Sequence, residues 1–350
     1  MMQTELTADA YWFLAVMAFV VGTVCGSFFN VCIYRVPAGR SIVTPPSHCY
    51  ACGTRIAAYD NIPLLSYLML RGRCRHCGTR FSARYFLVEL LCGLLYLWAY
   101  LRFGPSLVLL GHFAFIGLLV VGTFTDIDHF IIPDGVTLGG LWLSIGLAFG
   151  FGDASLPGKE LRALIETLDY LLPELRAVAE RLGWASSGVY ALLSAAFGWV
   201  LLWSIGFLGR LMFRKEAMGG GDIKLFAFLG AYLGAVNCLY VLMLSTVSGA
   251  LIGSVLLLTH KFAGRDEVEE LALALPADPP MAAPAGNTET LASEHGPAGE
   301  PPPIVLRIAR KTSRQLHHFP FGPYIAVAAI LVLMFSEELI ALTGRLIFVP

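Results

Sequence analysis

Residues 107–134 read LVLLGHFAFIGLLVVGTFTDIDHFIIPD. The first nineteen of them, 107–125, contain no Asp, Glu, Lys or Arg, and crossing the hydrocarbon of a bilayer takes about 20 apolar residues. The run stops at Asp126, and Asp128 and Asp134 follow closely. Carboxylates at the edge of a membrane span are costly to keep there and mark function. This stretch therefore predicts a transmembrane helix and, at its end, a set of chemical groups.

The same pattern extends over the chain. Further apolar runs lie at roughly 11–32, 86–103, 131–151, 189–209, 237–259 and 321–336. A short stretch, 223–236 (IKLFAFLGAYLGAV), must also cross if the charges around it are to sort by side. Of the 350 residues 57% are hydrophobic and 14% charged, where a soluble domain carries about 25% charged residues. Such a chain cannot cover a soluble surface. The fold class is an all-α polytopic membrane protein with about eight transmembrane helices, surrounded by lipid. A net charge of −1 gives no basis for a nucleic-acid partner. The first ten residues hold Glu5 and Asp9 but no Lys or Arg. A secretory signal needs a basic start, so the first run is expected to be a retained helix.

The basic residues orient the spans, because cytoplasmic segments hold the Lys and Arg. With eight crossings, 18 of the 24 Lys and Arg fall on one side and both termini on the other. Residues 35–85 alone hold Arg35, Arg40, Arg55, Arg71, Arg73, Arg75, Arg80 and Arg84. The expected organisation is a first transmembrane helix in 1–34 and a cytoplasmic zinc-ribbon-like domain in 35–85. Helices two to four follow in 86–151, an outer-side amphipathic insertion in 152–188, and helices five to seven in 189–260. A cytoplasmic loop occupies 261–318, and the last helix and C-terminus 319–350. Within the first insertion, 159–183 pairs apolar positions at helical spacing with charges and is broken at Pro173, as expected of an interfacial helix pair. Residues 266–303, rich in Ala, Pro, Glu and Gly, cannot bury a core and read as disordered. No internal repeat is evident.

Four cysteines stand as Cys49-x2-Cys52 and Cys74-x2-Cys77. Two such pairs at this separation suit a zinc ribbon, in which each pair sits on a tight knuckle and four thiolates close a tetrahedron. Gly53 and Gly78 follow the second cysteine of each pair, where a knuckle needs positive φ. A closed four-thiolate site would be structural, holding a loop too small to fold alone. The competing reading is thiol–disulfide exchange, which also uses CxxC. Cys25, Cys32, Cys92 and Cys238 lie in spans and read as small apolar side chains.

The second acidic segment is Met218-Gly219-Gly220-Gly221-Asp222-Ile223-Lys224. Its glycines let the backbone approach a peptide closely. Two carboxylates from different helices, held together, share a proton and divide into base and acid. That pair could activate water for amide hydrolysis. The alternatives are acids that solvate helix ends or pair with Lys224, His129 or nearby arginines, and acids of an ion-coupled transporter. Spacing alone does not bring the two segments together.

The motifs in order decide among these. Gly26-Ser27-Phe28-Phe29-Asn30-Val31-Cys32-Ile33-Tyr34-Arg35-Val36-Pro37 resembles the GSFxNVxIxRxP signature of bacterial type IV prepilin peptidases. The likeness continues through the double CxxC loop with Asp60–Tyr67, Arg84-Tyr85, Glu89, the stretch Asp126–Asp134, the GGGD segment to Leu225, and Phe319–Tyr324. It covers the chain except 152–188 and 262–316.

The resemblance implies an intramembrane aspartyl peptidase of the GxGD type, in the bacterial inner membrane with its active site toward the cytoplasm. Its substrates would be type IV prepilins or type II secretion pseudopilins, cleaved after Gly. It also implies methylation of the new N-terminus, commonly Phe, with S-adenosylmethionine. The pattern maps catalysis onto Asp126 and Asp222 and the two motif glycines onto Gly219 and Gly221. Asp128 becomes a supporting residue, and Asp134 after the proline is better placed to cap its helix. Lys224 reads as a snorkelling interfacial cation. No nucleotide-binding glycine loop is present, so Asn30, Arg35 and the segment near Asp60 are the candidates for the methyl donor.

Overall fold

The structure is a computed structural model that describes residues 7–168, 173–214, 218–262 and 321–347. The segment 266–303, expected to lack a core, lies outside the described residues. The first long helix, α1 (Ala8–Arg35), is N-capped by Thr7, whose side chain accepts from the Ala10 N–H. A loop with one short helix, α2 (Leu65–Met69), leads to α3 (Ala83–Phe103). Then follow α4 (Leu107–His129), α5 (Asp134–Phe151), α6 (Leu156–Leu168), α7 (Pro173–Leu182) and α8 (Ser186–Phe213). After these come α9 (Gly220–Leu233), α10 (Ala235–Phe262), α11 (Gly322–Met334) and α12 (Ser336–Ile347).

Among the described residues six helices, α1, α3, α4, α5, α8 and α10, are long and apolar enough to cross a membrane. The pair α11 and α12, bent by 79° at its break, makes a seventh if counted as one span. The stretch predicted to cross at 223–236 becomes α9, 14 residues long, or about 21 Å. That is short of the roughly 30 Å of hydrocarbon. Its shortness follows from Gly234, whose φ of +98° ends it at once.

Two close helix approaches organise the bundle. A Cβ on Gly22 would stand 2.6 Å from the Cys92 carbonyl oxygen, so α1 and α3 meet backbone to backbone. Small residues allow this in membranes, where packing rather than water expulsion holds helices together. Likewise α9 lies against α8 with Gly230 pressed on the Ser194 carbonyl. Residues 225–233 are all buried, Phe226, Phe228, Leu229 and Leu233 completely. The Phe115 and Tyr232 rings stack at 4.1 Å, joining α4 to α9.

The insertion differs from an interfacial helix pair in one respect. Pro173 does open the second helix, but α6 sends Glu160 inward, where it is 1% exposed. Its carboxylate accepts from Tyr190 Oη (2.6 Å), Val236 N (2.9 Å) and Asn237 N (3.2 Å) and Nδ2 (2.8 Å). Two of these donors are backbone groups of the first turn of α10, which have no partner within their own helix. So α6 caps α10 from outside, a role that amphipathic spacing alone does not reveal.

Candidate active site and cysteine centre

The loop between α1 and α3 folds around its cysteines. The hexapeptide CxxCGT occurs twice, at 49–54 and 74–79, which corrects the expectation of no repeat. Both copies make the same knuckle. Cys49 N donates to the Thr54 carbonyl at 2.9 Å, and Cys74 N to that of Thr79 at 2.8 Å. Gly53 N donates to the Cys49 carbonyl and Gly78 N to that of Cys74, with φ of +68° and +72° at the glycines. The sulfurs of Cys49, Cys52, Cys74 and Cys77 all lie within 4.8 Å of one another. Cys49 and Cys77 are 3.8 Å apart, the edge of a tetrahedron with metal–sulfur bonds of about 2.3 Å. The Thr79 hydroxyl beside Cys77 brings its thiol down to about 6, while burial pushes Cys49 up to about 11. The four thiols form one centre and not two separate exchange pairs, and a soft tetrahedral cation fits them.

Outside the centre the loop is tied to itself and to α3. Arg75 pairs with Asp60 at 2.6 Å, and the guanidinium holds the Asp60 carboxyl below its ordinary value. Asn30 Nδ2 donates to the Tyr85 carbonyl at 3.1 Å, and Arg35 donates to the carbonyls of Ser41 (3.0 Å) and Pro45 (2.8 Å). Asn30 and Arg35 thus each donate to backbone carbonyls of their own chain. Of the four remaining cysteines, Cys92 and Cys238 are buried and Cys25 and Cys32 half-buried.

Asp126 sits in the last turn of α4 and is buried. Its Oδ2 accepts from the Gly322 N–H of α11 at 3.1 Å. A Cβ on Gly322 would stand 2.5 Å from that oxygen, so only glycine brings this N–H so near. Asp222 lies in the first turn of α9, and Leu225, three residues on, lines the same small cavity as Gly322, the donor to Asp126. Gly219 borders Asp222, a Cβ there being 3.5 Å from Oδ2, and Gly221 rests on Ile132. Among the described residues, nothing outside its own helix backbone lies within 4 Å of a Cβ built on Gly220. A small cavity lined by Gly122, Ile132, Leu225 and Gly322 opens between α4, α5, α9 and α11.

The other acids are engaged elsewhere. Asp128 pairs with Arg84 at 2.6 Å, and Arg84 lies over the Phe124 ring at 5.2 Å. This bond ties the start of α3 to the end of α4. Asp134 is the first residue of α5 but makes no side-chain cap; it pairs with Lys224 at 2.6 Å. Lys224 accordingly bridges α9 to α5 where sequence reading left it snorkelling, because a carboxylate stands within its reach. Sequence reasoning included Gly322 in the Phe319–Tyr324 likeness but did not assign it the bond to Asp126. It also missed Thr54 and Thr79, signalled by the repeated CGT.

Comparison with known proteins shows the family to which the chain is similar. Residues 20–103 match the Bacterial Peptidase A24 N-terminal domain, and residues 113–254 match the Type IV leader peptidase family. The chain is 39% identical over 250 residues to a prepilin leader peptidase/N-methyltransferase of Myxococcus xanthus, covering 71% of this chain and 65% of that protein. It is 34% identical to one of Pseudomonas putida, covering 73% of this chain and 84% of that protein. The one of Klebsiella pneumoniae is 36% identical over 62% of this chain and 83% of its own length. No solved structure matches.

Proposed function

This chain belongs to the type IV leader peptidase family, and from that premise we propose that Asp126 and Asp222 are the catalytic pair of an aspartyl endopeptidase. It removes the leader of type IV prepilins or type II pseudopilins after Gly, at the cytoplasmic face, and methylates the new N-terminal residue with S-adenosylmethionine. The observation that carries the peptidase reading is that the helix ends bearing Asp126 and Asp222 meet at one small cavity, bounded by the Gly322 that donates to Asp126 and by Leu225 of α9.

The substrate's apolar helix enters laterally, with its leader on the cytoplasmic side, and its backbone lies along the open side of Gly220. Water held between the carboxylates attacks the Gly carbonyl. The Gly322 N–H donates to Oδ2 of Asp126, and a hydrogen bond to the ionised form favours that form, so we assign Asp126 as the base. Asp222 then holds a proton toward the carbonyl oxygen, and as the C–N bond breaks a proton passes to the leaving amine. Gly219 and Gly221 set the backbone beside Asp222. The Asp128–Arg84 and Asp134–Lys224 pairs hold the neighbouring helix ends in place.

Zinc suits the cysteine centre, where Cys49, Cys52, Cys74 and Cys77 would hold it; its chemistry is to crosslink the loop. The methyltransferase reading rests on the family and on the printed names of the relatives. We also count α9 as a crossing, which with the bent pair gives eight. A buried helix needs no lipid-matched length, and eight crossings leave both termini outside and the aspartates toward the cytoplasm.

Asp126→Asn and Asp222→Asn are each expected to abolish cleavage of a prepilin by the purified enzyme, with metal content and membrane insertion unchanged. Processing by either variant near the wild-type rate would sink the assignment. Mass analysis of the wild-type product separates the two activities. Leader loss alone leaves the peptidase, and added methyl mass supports the transferase.

A further inference from the structure

The loop carries an apolar face that neither the cysteine centre nor the carboxylate pair uses. Ile62, Leu65, Leu68 and Met69 recur at helical spacing on and just before α2, and all four are exposed, Leu68 at 63% and Met69 at 73%. Ser66 is the buried member. Its hydroxyl accepts from Ile62 N at 3.0 Å and donates to the Tyr59 carbonyl at 3.1 Å. With its polar side chain turned in and apolar ones turned out, the segment is built for an apolar neighbour.

Contacts with α3 give its depth. The Leu64 N–H donates to Glu89 Oε2 at 2.9 Å, and the Tyr67 ring lies 5.4 Å from that of Phe86. Phe86 begins the apolar run of α3, and Glu89 lies six residues beyond Ala83, about 9 Å along the helix. So α2 stands level with the first turns of a membrane-crossing helix, at headgroup depth. Arg71 and Arg73, both exposed, follow it directly. Exposed apolar side chains with adjacent arginines at that depth match an anionic lipid surface in both chemistry and charge.

We propose that the face formed by Ile62, Leu65, Leu68 and Met69 inserts into the boundary between headgroups and acyl chains of an anionic leaflet, with Arg71 and Arg73 taking lipid phosphates. The loop is thereby fastened to the bilayer at the end of α3 that Arg84 links to Asp128. This inference is independent of the peptidase chemistry.

The test uses the full-length protein in phosphatidylcholine vesicles with and without phosphatidylglycerol, and p-benzoylphenylalanine in place of Leu68 or, separately, Met69. The control position is Ala51, exposed on the first knuckle. Irradiation is expected to give several-fold more phospholipid adduct at Leu68 and Met69 than at Ala51. Paired Arg71→Glu and Arg73→Glu changes should cut the adduct severalfold in phosphatidylglycerol vesicles and leave it unaltered in phosphatidylcholine alone. Metal content of each variant reports whether the loop is folded. Equal lipid adduct at all three positions, no adduct, or capture of an added prepilin or another segment of this chain at Leu68 would overturn the proposal. Loss of peptidase activity in the aspartate variants would leave these outcomes unchanged.

Discussion

A single glycine decides how Asp126 is held. The Gly322 N–H is the donor to its Oδ2, and a methyl group there would meet the carboxylate at 2.5 Å. Gly322→Ala must therefore push α11 away or turn Asp126 off its donor. A hydrogen bond to a charged group contributes about 1.5–3 kcal/mol, so kcat is expected to fall roughly 10- to 100-fold, with KM little changed. Steady-state cleavage of a prepilin peptide measures the split, and an unaltered kcat would show that the contact does not serve the reaction. The cysteines and the two aspartates were legible in the sequence because side-chain chemistry announces itself by residue type and spacing. The Gly322 contact was not legible, since a backbone N–H belongs to every residue but proline. The partners of Asp128, Asp134 and Lys224 were hidden for another reason: Arg84 and Asp128 are far apart in sequence, as are Asp134 and Lys224, and only folding chooses among the neighbouring charges.

At the scale of the helix, the first turn of α10 depends on a carboxylate from α6. Val236 N and Asn237 N both donate to Glu160, and the left-handed turn at Gly234 lets the carboxylate come close. Glu160→Ala strands these donors in a buried site. At about 1–3 kcal/mol for each unsatisfied group, the change should lower the thermal unfolding midpoint clearly. Tyr190→Phe, which removes one donor and leaves the carboxylate its other partners, should cost about 1 kcal/mol. Glu160 lies at the Gly234 end of α9 and Asp222 at the other, so the folded fraction should keep its kcat. A stable Glu160→Ala protein would mean that the cap is dispensable, and a stable but inactive one would point to a role in catalysis instead. Helical periodicity located α6 and α7, and Pro173 correctly marked the start of the second. Which face of α6 turns inward was not legible, because a charged residue on an amphipathic helix reads as solvent-facing until its donors are known.

For the whole molecule, topology turns on α9. If this helix crosses, α10 runs toward the cytoplasm and the segment 263–320 lies on the same side as the cysteine loop. If α9 is only a buried re-entrant helix, α10 runs the other way, and six basic residues from Lys261 to Arg314 fall outside. The positive-inside preference favours the crossing. The burial of Leu225–Leu233 permits it, because a helix enclosed by protein can be shorter than the hydrocarbon is thick. A reporter inserted within residues 280–295 separates the cases. Green fluorescence without alkaline phosphatase activity is expected there, with the opposite result for an insertion at 169–172, between α6 and α7. Phosphatase activity at both sites would remove α9 from the spans, and Asp222 would then stand on a hairpin entering and leaving by one face. The packing of α9 on α8 and α5, which positions Asp222, would be the same in either case. The side from which a leader peptide reaches the two carboxylates is decided by the insertion at 169–172, since α4 ends and α9 begins on the side opposite to it.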